Sequence, residues 1–180
     1  MNLGDFLLTA IEYITRILPR FKIIRSTHGG VAFVRGKPKL IPSGCVYWYW
    51  PVWTEIDIGP IAQQTVDLKD QRVMMMFRKK LTEVSVSAVL EYKITKTMDA
   101  YSNKYDLDDS IRAKALLVVA DTIVGRNLTN TINNKKAIDT EIKKALGVSL
   151  KAYGVKVITA GLSDITTCRV LHHIGMKGEM

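Results

Sequence analysis

The stretch from Glu83 to Ile94 constrains the fold of this chain more than any other. Val84, Val86, Ala88, Leu90, Tyr92 and Ile94 alternate with Glu83, Ser85, Ser87, Glu91 and Lys93, and only Val89 breaks the pattern. Alternation of period two puts one set of side chains into a core and the other toward water, so this is a half-buried strand of a mostly antiparallel sheet. Such a strand needs partners. Residues 31–35, 63–68, 72–77 and 155–163 read as further strands, and Pro42-Ser43-Gly44 reads as a turn.

Two helical patterns lie between the long strand and the last one. Asp106, Asp108 or Asp109 is placed to cap a helix from about Ser110 to Leu128. A second runs from about Asn134 to Ala152, with Ile138, Ile142, Ala145 and Leu146 on one stripe and Gly154 at its C-terminal end. Thr166 to Ile174 reads as a short helix before a frayed tail. Strands followed by helices and a closing strand give an α+β chain. Its 180 residues, 47 % of them hydrophobic, suffice for one compact domain with a core, in one or two lobes.

The N-terminus has a different character. Leu3, Phe6, Leu7, Ala10, Ile11, Ile14, Ile17 and Leu18 recur at helical spacing, with Asp5, Thr9, Glu12 and Arg16 opposite, and Pro19 ends the pattern. At about 1.5 Å per residue this helix is about 25 Å long, and it is too charged to cross a bilayer. It either packs on the domain core or lies in a membrane interface. Arg20, Lys22 and Arg25 follow directly, interleaved with Phe21, Ile23 and Ile24, and favour the interface, because basic groups are drawn to anionic lipid. Residues 1–40 carry seven basic groups against Asp5 and Glu12, the largest local share of a net charge of +9.

Tyr47, Trp48, Tyr49, Trp50 and Trp53 form a run holding every tryptophan of the chain. Tryptophan and tyrosine suit places where one end of the ring is apolar and the other wet. In a strand this run would present aromatics on both faces, so one face is expected to meet a membrane or another subunit unless both are buried. Met74-Met75-Met76 reads as core packing and Arg78-Lys79-Lys80 as a solvated turn.

Sites of chemistry are not expected. His172-His173 do not have the i, i+4 spacing of a zinc helix, and Cys45 and Cys168 have no nucleophile motif near them. Cys45 is a small buried residue or, beside the aromatics, a candidate for acylation. Asp108-Asp109 suit helix capping better than acid–base work, and Gly29-Gly30 lack the pattern of a phosphate loop. No catalytic, cofactor or metal residue is assigned.

The order of these pieces resembles the SPFH or band 7 family of stomatins, prohibitins and flotillins. Gly30-Val31-Ala32-Phe33-Val34-Arg35-Gly36-Lys37 is similar to its opening strand. Pro42-Ser43-Gly44, the apolar run to Pro51, Val66-Asp67-Leu68, and the strand ending Tyr92-Lys93-Ile94 follow in family order. Tyr153-Gly154-Val155-Lys156-Val157 and Leu162-Ser163-Asp164-Ile165 resemble its closing strand. The resemblance spans roughly residues 24–165. It implies a non-enzymatic, self-assembling scaffold of two small lobes, peripheral or monotopic on the cytoplasmic face of a membrane. Such a scaffold forms a ring or shell and organises or regulates membrane proteins such as a membrane protease.

On this reading residues 1–24 are the membrane-interface helix and basic linker, 25–165 the domain, and 166–180 a short helix and tail. The expected partners are anionic membrane lipid and further copies of the chain. Two features depart from the family pattern: its usual Thr-x-Asp turn is replaced by Met74 to Leu81, and no long coiled coil follows Ile165. So compact a version suits a viral or phage genome. The alternative is a soluble, basic structural or nucleic-acid-associated oligomer. Nucleic acid ranks lower, because no recognition helix concentrates the positive charge.

Overall fold

The computed structural model describes residues 18–102 and 106–167. The helix expected over Asn2–Leu18 lies outside them except for Leu18, which forms a bend, and most of the expected C-terminal helix lies outside as well.

The first lobe is built from five short antiparallel strands: β1 (Arg20–Ile23), β2 (His28–Val34), β3 (Lys37–Ile41), β4 (Val46–Tyr49) and β5 (Thr54–Pro60). β1 and β4 form a two-stranded ribbon, and β3-β2-β5 form a three-stranded sheet. Ile24, Ala32 and Ile41 are the buried centre of this lobe, and Val34, Cys45, Tyr47, Ile56 and Ile58 pack around them. The basic stretch after Pro19 is therefore a strand and not a linker. β3 and β5 correspond to no expected strand.

The second lobe carries the larger core. β6 (Gln64–Phe77), β7 (Lys80–Ile94) and β8 (Val155–Thr167) form an antiparallel sheet in that order. Between β7 and β8 come α1 (Thr97–Ser102), α2 (Leu107–Ile123), α3 (Leu128–Asn133), α4 (Lys135–Ser149) and a 3-10 turn (Lys151–Tyr153). Val84, Val86, Ala88, Leu90, Tyr92 and Ile94 are all buried, as their alternation requires, against Ile111, Ala115, Val119, Ile142 and Leu146 of the helices.

Several boundaries differ from the expectation for physical reasons. Residues 63–68 and 72–77 are one strand, interrupted by a bulge between Leu68 and Gln71 that shifts the alternation. The first long helix starts at Leu107, where Asp106 accepts a hydrogen bond from the Asp109 amide at 3.1 Å. It stops at Ile123 because Gly125 takes φ +73°, a left-handed conformation that breaks the helical path. Asn127 then caps α3 by accepting from the Thr129 amide at 3.0 Å. Thr166 and Thr167 continue β8 and do not begin a helix. Only Met75 of the methionine triplet is buried, while Met74 and Met76 face outward. Arg78 and Lys79 form the solvated two-residue turn between β6 and β7, both with positive φ, as a tight hairpin turn demands.

The lobes meet at the carbonyl of Pro60. Tyr101 Oη donates to it at 3.1 Å and Gln64 Nε2 at 3.0 Å. Tyr92 Oη lies 2.8 Å from Gln64 Oε1 and 3.2 Å from Asp108 Oδ1, so its one proton serves two acceptors. The Tyr101 ring passes so close to Gly59 that a Cβ there would sit 2.2 Å from the hydroxyl.

Two outcomes follow from this joint. Gly59→Ala displaces the Tyr101 ring and destabilises by about 1–3 kcal/mol in urea unfolding; in a Tyr101→Ala background the loss shrinks, because the clash is gone. Burial, then the charges of Asp108 and Asp57, push the Tyr101 hydroxyl up from 10.0 to about 12. A raised phenol favours the neutral form in the folded state, so its stabilisation is complete below pH 10.0 and is lost as pH rises toward about 12. The urea midpoint falls across that window, and Tyr101→Phe flattens the fall.

Candidate membrane-contact surface

The β1–β4 ribbon sorts its side chains by parity. Opposed residues of an antiparallel pair share a face, and neighbours along a strand alternate. Phe21 pairs with Trp48 and Ile23 with Val46, so these four share one face. Arg20 pairs with Tyr49 and Lys22 with Tyr47 on the other. Tyr47 packs on the first lobe's core, which fixes the orientation of the ribbon: the tyrosine face turns inward and the tryptophan face outward. Trp48 is 66 % exposed, Phe21 60 % and Ile23 70 %. The Phe21 and Trp48 rings lie 5.5 Å apart.

The exposed stripe continues past the strand. Trp50 lies two residues beyond Trp48 and is likewise exposed. A turn follows, in which the Trp53 and Thr54 amides donate to the Trp50 carbonyl at 3.1 and 3.0 Å. It holds Trp50 and Trp53 with ring centroids 6.1 Å apart and leaves Val52 exposed between them. The Arg35 amide donates to the Trp53 carbonyl at 2.9 Å, tying this turn to the Arg35-Gly36 hairpin between β2 and β3. The Arg35 guanidinium lies 5.9 Å from the centre of the Trp53 ring. Because Arg20 pairs with Tyr49, the chain enters the lobe beside the tryptophan turn, where Leu18 is exposed.

The fold thus sorts the expected contact residues. Leu3, Phe6, Leu7, Ala10, Ile11, Ile14 and Ile17 lie outside the described residues. Leu18, Trp48, Trp50 and Trp53 are exposed at or near one end of the first lobe, whereas Tyr47 and Tyr49 are half-buried on the inner face of the ribbon. Arg20, Lys22 and Arg25 are exposed, but Arg20 and Lys22 sit on the tyrosine side, away from the apolar stripe. Lys22 partly offsets an upward push on the Asp57 carboxyl that comes from burial and from Glu55. Val46, Val52 and Arg35 belong to the surface without having been assigned to it from the sequence, and Phe21 and Ile23, noted there only as interleaving the basic residues, belong to it as well. The alternation Phe21-Lys22-Ile23 was the signal for these last two, once that segment is read as a strand.

The rest of the described surface offers less chemistry. A groove of about 390 Å³ lies between α3 and α4, and Arg126 and Glu141 form an ion pair of 2.6 Å at it. Cys45 is a free thiol whose Sγ donates to the Pro42 carbonyl at 3.2 Å. Among the described residues no group of three or more His, Cys, Asp or Glu side chains is placed to hold a metal ion, and no helix is long and apolar enough to cross a membrane.

No curated protein gives a significant match to the chain. The family profile of the SPFH domain / Band 7 family matches residues 22–178, which takes in both lobes apart from the first two residues of β1 and includes the three tryptophans. With nearly its whole length matched in this way, the chain belongs to the SPFH domain / Band 7 family.

Proposed function

We propose that this protein is a self-assembling scaffold that rests on the cytoplasmic face of a membrane through the tryptophan end of its first lobe, and there organises or regulates membrane proteins such as a protease. The SPFH / Band 7 family is in general one of non-enzymatic, membrane-associated scaffolds that oligomerise. The single observation that carries the finer reading is the outward stripe of Phe21, Ile23, Val46, Trp48, Trp50, Val52 and Trp53. All seven are exposed large hydrophobic side chains gathered on one lobe. A contiguous apolar patch of this kind marks a protein or membrane contact.

Each of these side chains is already partly covered, so moving it into the interface gains roughly 1 kcal/mol. Seven of them together suffice for peripheral attachment without any spanning segment, after the cost of immobilising the protein. Tryptophan is also the residue that prefers the headgroup level to the hydrocarbon interior. The apolar positions of residues 1–18 would add a second contact where the chain enters the lobe. For self-assembly into a ring or shell, the face of the β6–β7 hairpin that carries Met74, Met76 and Leu81 is exposed and apolar.

Flotation with lipid vesicles tests the reading. The intact protein is expected to float with mixed phosphatidylcholine and phosphatidylglycerol vesicles, and Trp48→Glu with Phe21→Glu to lower the partition coefficient about 100-fold, as the loss of roughly 2–3 kcal/mol implies. Because Phe21 and Trp48 face each other across the ribbon, the pair of carboxylates also lowers stability by about 1 kcal/mol, a loss that leaves the protein folded at the temperature of the flotation. An intact protein that stays in the aqueous fraction with every vesicle composition contradicts the proposal.

A further inference from the structure

The tryptophan turn and the β2–β3 hairpin enclose an open groove of about 600 Å³. Phe33, Pro51, Val52 and Trp53 supply its apolar lining, and Arg35 and Glu55 supply its charges. Arg35 is held in a defined place. Its backbone is bonded to Trp53, its guanidinium lies over the Trp53 ring, and its φ of +52° fixes the turn. Among the described residues Arg35 and Glu55 form no ion pair with each other or with any other group. Glu55 pairs with Phe33 across the sheet, while Arg35 follows the Val34–Thr54 pair. Arg35 lies level with Trp53, so Arg35 and Glu55 sit two residue positions apart along the strands, roughly 7 Å, on the same face.

We infer that this groove receives a phosphoethanolamine headgroup of a membrane lipid, with the phosphate on Arg35 and the primary ammonium on Glu55. This inference rests on the membrane-scaffold reading and names a ligand for the same end of the lobe. A guanidinium matches phosphate through paired N–H donors, and a carboxylate accepts from an ammonium. The two groups bear opposite charge, as do the two ends of phosphoethanolamine. A purely anionic headgroup would meet Glu55 as a like charge. In open water such exposed ion pairs are weak. At the membrane interface the neighbouring tryptophans exclude water, and the lower local dielectric strengthens both contacts. The groove is thus selective only when the lobe is seated on lipid.

The test compares uncharged vesicles. Phosphatidylcholine and phosphatidylethanolamine have the same net charge, so adding the second to the first leaves surface potential unchanged. The intact protein is expected to bind the mixed vesicles about fivefold more tightly than pure phosphatidylcholine, a gain in keeping with charge-assisted hydrogen bonds. Glu55→Gln removes that gain and keeps the binding to phosphatidylcholine, and Arg35→Gly, which suits the positive φ of the turn, removes the gain measured relative to its own binding to phosphatidylcholine. A gain that persists in both variants would come from lipid packing alone and overturns the inference while leaving the scaffold reading intact. Binding of soluble glycerophosphoethanolamine without vesicles, measured by calorimetry, also overturns the assignment to lipid. Failure of the intact protein to bind any vesicle removes both readings together.

Discussion

The seating of Tyr47 against the first lobe's core decides the character of this protein's surface. Tyr47 packs beside Ile24, Ala32 and Ile41, and side chains along a strand alternate. Once Tyr47 points inward, Val46, Trp48 and Trp50 must point outward. Pairing with β1 then brings Phe21 and Ile23 onto the same side. One half-buried tyrosine thus commits a row of large apolar side chains to solvent. A one-residue slip of the ribbon would bury the tryptophans and expose the tyrosines.

The second constraint is the joint at Pro60. Its carbonyl receives donors from Tyr101 and Gln64, and Gln64 is held in turn by Tyr92. Those side chains come from β6, β7 and α1, so the small first lobe is fastened to the element with the most extensive core. That matters because the buried centre of the first lobe is only Ile24, Ala32 and Ile41. So small a core would not hold five short strands by itself. The tryptophan surface is oriented by a lobe that borrows its rigidity from its neighbour.

Much of the second lobe was legible because its signals are local. The alternation of Val84 to Ile94 is set by one sheet with one buried face, and Gly154 ends the last helical stretch with φ +68°. What could not be read depends on contacts between distant residues. The bulge at Leu68/Gln71 makes one strand look like two. β3, with the sequence Lys-Pro-Lys-Leu-Ile, buries only Ile41 and so carries almost no pattern. The break at Gly125 falls inside the stretch from Ser110 to Leu128 that otherwise reads as continuous helix. For the candidate surface, the sequence marked the tryptophans and their ambiguity but not its resolution. Which aromatic face turns outward is set by β1, a strand whose basic residues made it look like a linker. The place of Phe21, Ile23 and Arg35 on that surface depends on their partners Trp48, Val46 and Trp53.

The chain carries three tryptophans, at positions 48, 50 and 53, and all lie on the proposed contact surface. They are intrinsic reporters of that surface, and the most direct test is quenching of their fluorescence by lipids brominated at different depths along the acyl chain. Seating of the first lobe in the interface predicts quenching that is strongest for bromine nearest the headgroup and weakens toward the bilayer centre. Vesicle-bound protein whose tryptophan emission is untouched by bromine at every depth would contradict it.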